Sequence, residues 1–320
     1  MKYPIVLGWL LYTGFVASSA AAVLFDEFDT PLITAAKEGE LRTIQNLVDS
    51  DVALDAQNRI GETALSVAVS RGHHEVVRFL LEHGADVNRA TNRGVTPLML
   101  AAARADGVAV SLLLAAGADP SLRSGSGATA LHMAVMAGEE AAGVVGRLLN
   151  AGADIDATLA DGRSALMLVL RDGIDRVARL LIERGADVTQ PDHRGITPLM
   201  IAAAKGAPEE IIRALLDRGA NVLAVSDEGM TALHFAAIAG DDRVVALLGS
   251  DEMVVNWANR QGLTALMGAS WRGDREIVEA LMSAHADVTL ADANGKTAVR
   301  YAEENGHRAV ADLLRRYGGF

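Results

Sequence analysis

The chain of 320 residues contains no cysteine. Disulfides, thiolate nucleophiles, zinc–thiolate sites and iron–sulfur clusters are therefore excluded. The absence leaves the redox compartment open, and suits an oxidising one in which a free thiol is a liability. Aromatic residues make up 4% of the chain and there are 7 prolines. A core built of large rings is not available, although half of the residues are apolar. That apolar half is mainly Ala, Leu and Val, which suits thin, closely stacked helices. Basic residues are outnumbered, with 29 Lys and Arg against 41 Asp and Glu, for a net charge of −12. There is no Lys/Arg-rich block, so the electrostatic footprint of a nucleic-acid binder is missing. The same excess charge keeps a long apolar-rich chain soluble.

One long uncharged run stands at the N-terminus. Lys2 is followed by an apolar stretch from Ile5 to Val16 and by the small residues Ala17 to Ala22. The pattern predicts a secretory signal peptide over residues 1–22, cleaved after Ala20 or Ala22. The run from Pro4 to Phe25 is 22 residues without a charge, long enough for an uncleaved anchor instead. Either reading places the remainder of the chain outside the cytoplasm, and the short n-region with its Ala-rich end suggests bacterial export. The chain is accordingly expected in the periplasm or secreted, or held at the membrane and facing the periplasm.

The rest of the chain repeats itself. Gly195-Ile-Thr-Pro-Leu-Met-Ile-Ala-Ala203 has close copies beginning at Gly61, Gly94, Gly127, Gly162, Gly229, Gly262 and Gly295, and a degenerate one around Thr30-Pro31-Leu32. A period near 33 residues announces a solenoid rather than a single central core. Within each unit, turn residues precede the leading Gly, and Thr or Ser follows at a helix N-cap, with Pro or Ala at the first helical position. A short helix of small apolar residues then runs to a Gly eleven residues on. A second, amphipathic helix such as Glu75–Glu82 stops at Gly-Ala-Asp or Gly-Ala-Asn, where Gly caps it.

Thr-Pro-Leu-x-x-Ala-Ala, Gly-His-His-Glu-Val-Val and Leu-Leu-Glu-His-Gly-Ala-Asp-Val-Asn resemble ankyrin repeats. The likeness extends over about Phe28 to Tyr317 as nine units, starting near residues 28, 61, 94, 127, 162, 195, 229, 262 and 295. It implies an all-α repeat solenoid of stacked helix-turn-helix units with projecting β-hairpin loops, in one domain over residues 23–320. It further implies a concave groove that binds another protein, with no catalysis. The family's His after Thr-Pro-Leu, which bonds between turns, survives as His132 and His234; Met99, Met167, Met200 and Met267 replace it elsewhere. Unit four carries two extra residues around its second helix. Unit seven has a shortened second helix and a lengthened loop from Met253 to Gln261. In unit eight His285 stands where the capping Gly belongs.

His73-His74 matches the family's second-helix opening. His132 and His234 stand about three units apart, too far to share one ion, and the methionines fall at packing positions. Asp154, Asp156 and Asp161-Gly162 resemble part of a calcium loop, but its remaining ligands and closing Glu are missing. Gly125-Ser-Gly127 lacks the Lys-Ser/Thr of a phosphate loop, and no nucleophile elbow is present. No metal, cofactor or catalytic set is therefore expected, and a monomer is.

The resemblance implies that the groove is lined by residues flanking each leading Gly and by the two residues before the Gly at offset eleven. In units two and three these are polar or mixed: Arg59, Glu62, Ser70, Arg71, Asn92, Arg93 and Arg104. In units seven and eight they turn apolar: Met230, Ile238, Leu263 and Trp271, flanked by Asp227, Glu228, Arg260 and Arg272, with Trp257 nearby. An apolar cluster with a charged rim is the make-up of an interface hot spot. The expected partner-binding residues are Met230, Ile238, Trp257, Arg260, Leu263, Trp271 and Arg272. Two roles fit: a scaffold retained in the periplasm, or a secreted effector or inhibitor that blocks a target enzyme. A metal-binding or catalytic role fits less well.

Overall fold

A computed structural model describes residues 29–249 and 252–320. The expected signal peptide or anchor lies outside these residues. Among the described residues no helix is long and apolar enough to cross a membrane.

The chain is a row of helix pairs. The first helices are Pro31–Glu38, Ala64–Arg71, Pro97–Ala103, Ala130–Met136, Ala165–Asp172, Pro198–Lys205, Ala232–Ala239, Ala265–Arg272 and Ala298–Glu304. Each is followed by an antiparallel second helix, for example His74–Glu82 after Ala64–Arg71. First helices stack on first helices and second helices on second helices, with the closer packing in the first row. Residues of at most 1% exposure fill both rows, among them Leu65, Leu98, Leu131, Leu166 and Leu199 in the first and Leu80, Leu113 and Leu148 in the second. Alanines such as Ala68, Ala101, Ala134, Ala202 and Ala236, all fully buried, let the first helices approach closely.

The local sequence dictates the helix ends. Thr30, Thr63, Thr96, Thr197 and Thr264 are extended N-cap residues whose hydroxyls accept from the amide three residues on. A cap of this kind contributes about 1 kcal/mol. Gly39, Gly72, Gly173, Gly206, Gly240 and Gly273 close the first helices in the left-handed region. Three residues with a Cβ take that conformation where the sequence lacks the expected glycine: Asp51 at φ 60°, Ala105 at φ 52° and His285 at φ 63°.

The two irregular units absorb their insertions locally. In unit four the extra residues form a 3-10 turn, Glu139–Ala141, ahead of the second helix Ala142–Asn150. In unit seven the second helix is cut to Asp242–Leu248, and a short helix, Glu252–Val255, follows it.

The loops between units are tight fingers. In each one the residue three before the leading Gly donates its amide to the residue after that Gly, as in Asp192 to Ile196 at 2.9 Å and Ser226 to Met230 at 3.0 Å. The side chain at that position reinforces the turn: Asp192 Oδ1 accepts from the amides of Arg194 and Ile196. Strand-like pairing within the fingers is confined, among the described residues, to isolated antiparallel bridges at Thr158–Ser164 and Ala291–Thr297. The fingers are instead joined to one another. The carbonyl just before each leading Gly accepts from the amide two residues before the next one. The rungs are Asn92 to Ile60, Gly125 to Arg93, Ala160 to Ser126, His193 to Asp161, Asp227 to Arg194, Arg260 to Glu228 and Ala293 to Gln261, at 2.8–3.3 Å.

This ladder explains the leading glycines. Their φ values are all positive, which a Cβ disfavours. A Cβ at Gly61 would also lie 2.5 Å from the Asn92 amide nitrogen, and one at Gly162 2.8 Å from that of His193. Gly295, with no finger beyond it, would meet nothing within 4 Å. A second set of ties runs along the far ends of the units. Oδ1 of Asp55, Asn88, Asp156 and Asn256 accepts from the amides of Asp86, Asp119, Asp187 and Asp287 in the following units.

Candidate interaction surface

The C-terminal turns of the first helices and the fingers face each other across an open groove. Lys296, one residue past Gly295 in the last finger, reaches Glu304 on the first helix of the same unit at 2.6 Å. In unit nine that ion pair joins one position of each set that the ankyrin likeness places along the groove: those beside each leading Gly, and the two before each first-helix cap.

At these positions units seven and eight are mostly apolar. Trp271 is 46% exposed, large for an indole in a folded chain. Its backbone is held: the carbonyl accepts from His307 Nε2 of the next unit at 3.1 Å. The indole is thus presented from a fixed main chain. Met230, Ile238 and Leu263 are half-buried. Leu263 packs on the core, and its carbonyl accepts from His234 Nε2 at 2.9 Å, while Met230 closes its own finger. Arg260 is exposed, and its amide forms the rung to Glu228.

Two of the expected binding residues also tie the stack together. Arg272 Nη1 donates to the Ile238 carbonyl at 2.7 Å, and its guanidinium lies over Gly240, where a Cβ would be 2.6 Å from Nη2. The Trp257 Nε1, in the finger that leads into unit eight, donates to the Gly229 carbonyl of the preceding finger at 3.0 Å, leaving the ring half-buried. Both span the junction between units seven and eight. His73 and His307 do the same elsewhere, over Gly39 and Gly273, by donating to the carbonyls of Lys37 and Trp271.

Met136 was not among the sequence candidates. It holds the position of Trp271 in unit four and is 51% exposed. The signal was present in the sequence, as a Met two residues before Gly138, but its neighbours in unit four are small and drew no attention.

The titratable residues singled out from the sequence are engaged within the stack. His73 faces Lys37 of the unit before, whereas His74 pairs with Asp106 of the unit after, at 2.7 Å. Burial opposes ionisation of Asp106, but the amides of Ala109 and Val108 and the His74 ring hold its carboxyl below the usual range. Asp156 is consumed by the Asp187 amide, and Asp161 by the Arg163 amide and guanidinium. Among the described residues no three His, Asp or Glu side chains converge as a metal site.

His132 and His234 sit fully or nearly buried at N-caps, their Nδ1 atoms at 3.0 and 2.9 Å from the hydroxyls of Thr129 and Thr231. His234 completes its shell through Leu263. His132 Nε2 has no partner in hydrogen-bonding geometry, although the Arg163 carbonyl, the counterpart of Leu263, weakly favours a proton there. Burial dominates and pushes the His132 imidazole down to about 4; His234 is lowered for the same reason. Met99, Met167, Met200 and Met267 occupy the same place in other units, each at most 1% exposed.

A one-dimensional stack of helix pairs with a finger-lined groove defines a helical repeat protein. The chain belongs to the ankyrin-repeat family: the family model for ankyrin repeats, in three copies, matches residues 13–91, 32–124, 98–192, 131–225, 199–292 and 253–319. No curated protein matches the chain.

Proposed function

We propose that the protein is an exported interaction scaffold that holds a partner protein in its groove and carries out no chemistry of its own. The family supports a protein-binding role in general terms. The observation that carries the particular reading is the change of chemistry along equivalent groove positions, which ends in a half-exposed Trp271 on a pinned main chain. Trp anchors of this kind dominate interface energetics. Met230, Ile238, Leu263 and Arg260 surround that anchor as its apolar bed and rim. Arg272 and Trp257 contribute mainly by keeping units seven and eight in register.

Export rests on the composition of residues 1–22, and the proposed address is the periplasm or the medium. Retention in the periplasm on fractionation favours a resident scaffold; release into the medium favours an effector or inhibitor. The test of the surface is affinity capture with the mature protein, followed by measured binding of the captured partner. Trp271→Ala should weaken that binding by about 2 kcal/mol while the melting temperature is kept. An unchanged affinity refutes the assignment.

A further inference from the structure

The groove has a second chemical zone in units two and three. At the lining positions of these units or next to them stand Arg59, Arg71, Arg93 and Arg104, against a single carboxylate, Glu62. This is the reverse of the chain as a whole, whose net charge is −12. Arg71, Arg93 and Arg104 are exposed. Arg71 and Arg104 occupy equivalent sites at the ends of adjacent first helices. The Arg104 guanidinium leans back toward unit two, with Nη2 3.5 Å from where a Cβ would stand on Gly72. Arg93 tops the intervening finger, its carbonyl locked in the rung to Gly125. Arg123 borders the zone, donating to the carbonyls of Gly127 and Thr158, which leave its charge uncancelled.

Several groove cations elsewhere are neutralised from within, although among the described residues Arg260 and Arg272 of the apolar zone are not. Arg163 pairs with Asp161, Arg171 with Asp172, and Lys296 with Glu304. Among the described residues no carboxylate lies within ion-pair distance of Arg71, Arg93 or Arg104. The guanidinium groups of Arg71, Arg93 and Arg104, left without counter-charges in a protein otherwise rich in carboxylates, are placed to receive them from another chain.

We infer that units two and three of the groove bind an extended acidic segment of a partner protein, its carboxylates seated on Arg71, Arg93 and Arg104. The inference rests on the groove being the binding surface, and adds the chemistry of what lies at its other end. Two units at about 10 Å each match an extended segment of about six residues. A nucleic acid is disfavoured because a long polyanion would run on past the arginines into the acidic remainder of the chain.

The probe is a fluorescent glutamate peptide of about six residues, titrated into the mature protein by anisotropy. Binding is expected despite the like net charges, and should weaken steeply as salt rises from about 50 to about 300 mM. Arg71→Glu with Arg104→Glu should reduce affinity at least about tenfold. Arg78→Glu with Arg213→Glu, on second helices and with the same change in net charge, should leave affinity within about twofold of the parent once folding is matched by melting temperature. Trp271→Ala should not affect this probe, so that failure here and failure of the Trp271 anchor are read separately. Absence of binding, equal losses in the two double variants, or tighter binding of a single-stranded oligonucleotide of matching charge would each overturn the inference.

Discussion

Gly162 and Gly185 allow the finger ladder to be weighed against backbone strain alone. Both belong to unit five, and their φ values are nearly the same, 86° and 89°. Forcing an Ala into that region costs about 1–2 kcal/mol, offset by roughly 0.4–1 kcal/mol from the narrower unfolded ensemble. Gly185→Ala should therefore destabilise by about 1 kcal/mol, since a Cβ there meets nothing within 4 Å. Gly162→Ala carries the same conformational term and a steric one. Its Cβ would lie 2.8 Å from the His193 amide nitrogen, which forms the 3.1 Å rung to Asp161. Relief requires the two fingers to part, weakening a hydrogen bond of about 1 kcal/mol and the packing behind it. The expected loss is about 3 kcal/mol in all. Urea unfolding of the mature protein measures both variants, with amide exchange at His193 as the local readout. Equal losses at the two glycines, or unchanged protection of the His193 amide, would show that the rung carries no weight and that the leading glycines are needed for their φ alone.

Other perturbations follow from single contacts. His132→Met, which copies the residue found in four other units, should flatten the acid limb of the stability curve. A buried imidazole with a folded pKa of about 4 is neutral in the native state, so the unfolded chain binds the extra proton below about pH 6.5. Stability is thus intact above that pH and falls as pH drops toward 4, by about 3 kcal/mol at the limit; urea titrations from pH 7 to 4 should show a shallower slope in the variant than in the parent, with His234 keeping its own contribution. His285→Gly relieves a left-handed φ of 63° and should raise stability by about 0.5–1 kcal/mol in the same assay; a decrease would mean the side chain makes a contact that outweighs the strain. Arg272→Ala should lower stability by about 1 kcal/mol through loss of the Ile238 carbonyl bond, and increase exchange of amides at the junction of units seven and eight. Loss of partner binding without any loss of stability would return Arg272 to the binding surface.

The fold was legible because its signals are repeated. A Thr before a short Ala/Leu helix and a Gly eleven residues after the leading Gly each recur often enough to place nearly every helix. Even the irregular places, the insertion in unit four and the short helix in unit seven, were visible as breaks of period. What the sequence did not show lies between units. The finger ladder runs from backbone to backbone, so no side chain announces it beyond the glycine that makes room. The double duty of Trp257 and Arg272 was hidden for a related reason: their partners are carbonyls of Gly229 and Ile238, which have no signature in composition. Met136 shows the converse limit. An isolated apolar residue among small neighbours looks like packing until its exposure is known.

The same distinction separates what holds the stack from what is free to vary. Capping threonines, leading glycines and buried alanines are spent on stacking, and their constancy from copy to copy reflects one junction geometry used repeatedly. The junction between units four and five departs from it. Its rung, Ala160 to Ser126, is the longest of the seven at 3.3 Å, and His132 lacks the bond that His234 makes one step beyond its own unit. Its second helix carries Gly143 and Gly146, which weaken a helix interior by about 1 kcal/mol each. In a linear array stability is a sum over units and junctions. That junction stands between the arginine zone and the apolar zone of the groove, and further bonds bridge it: the Arg176 amide to Glu139, Arg184 to Asn150 and the Asp187 amide to Asp156. Acid that protonates His132 acts there, and amide exchange around Ala160 and Ala130 should rise at low pH in the parent and rise less in His132→Met.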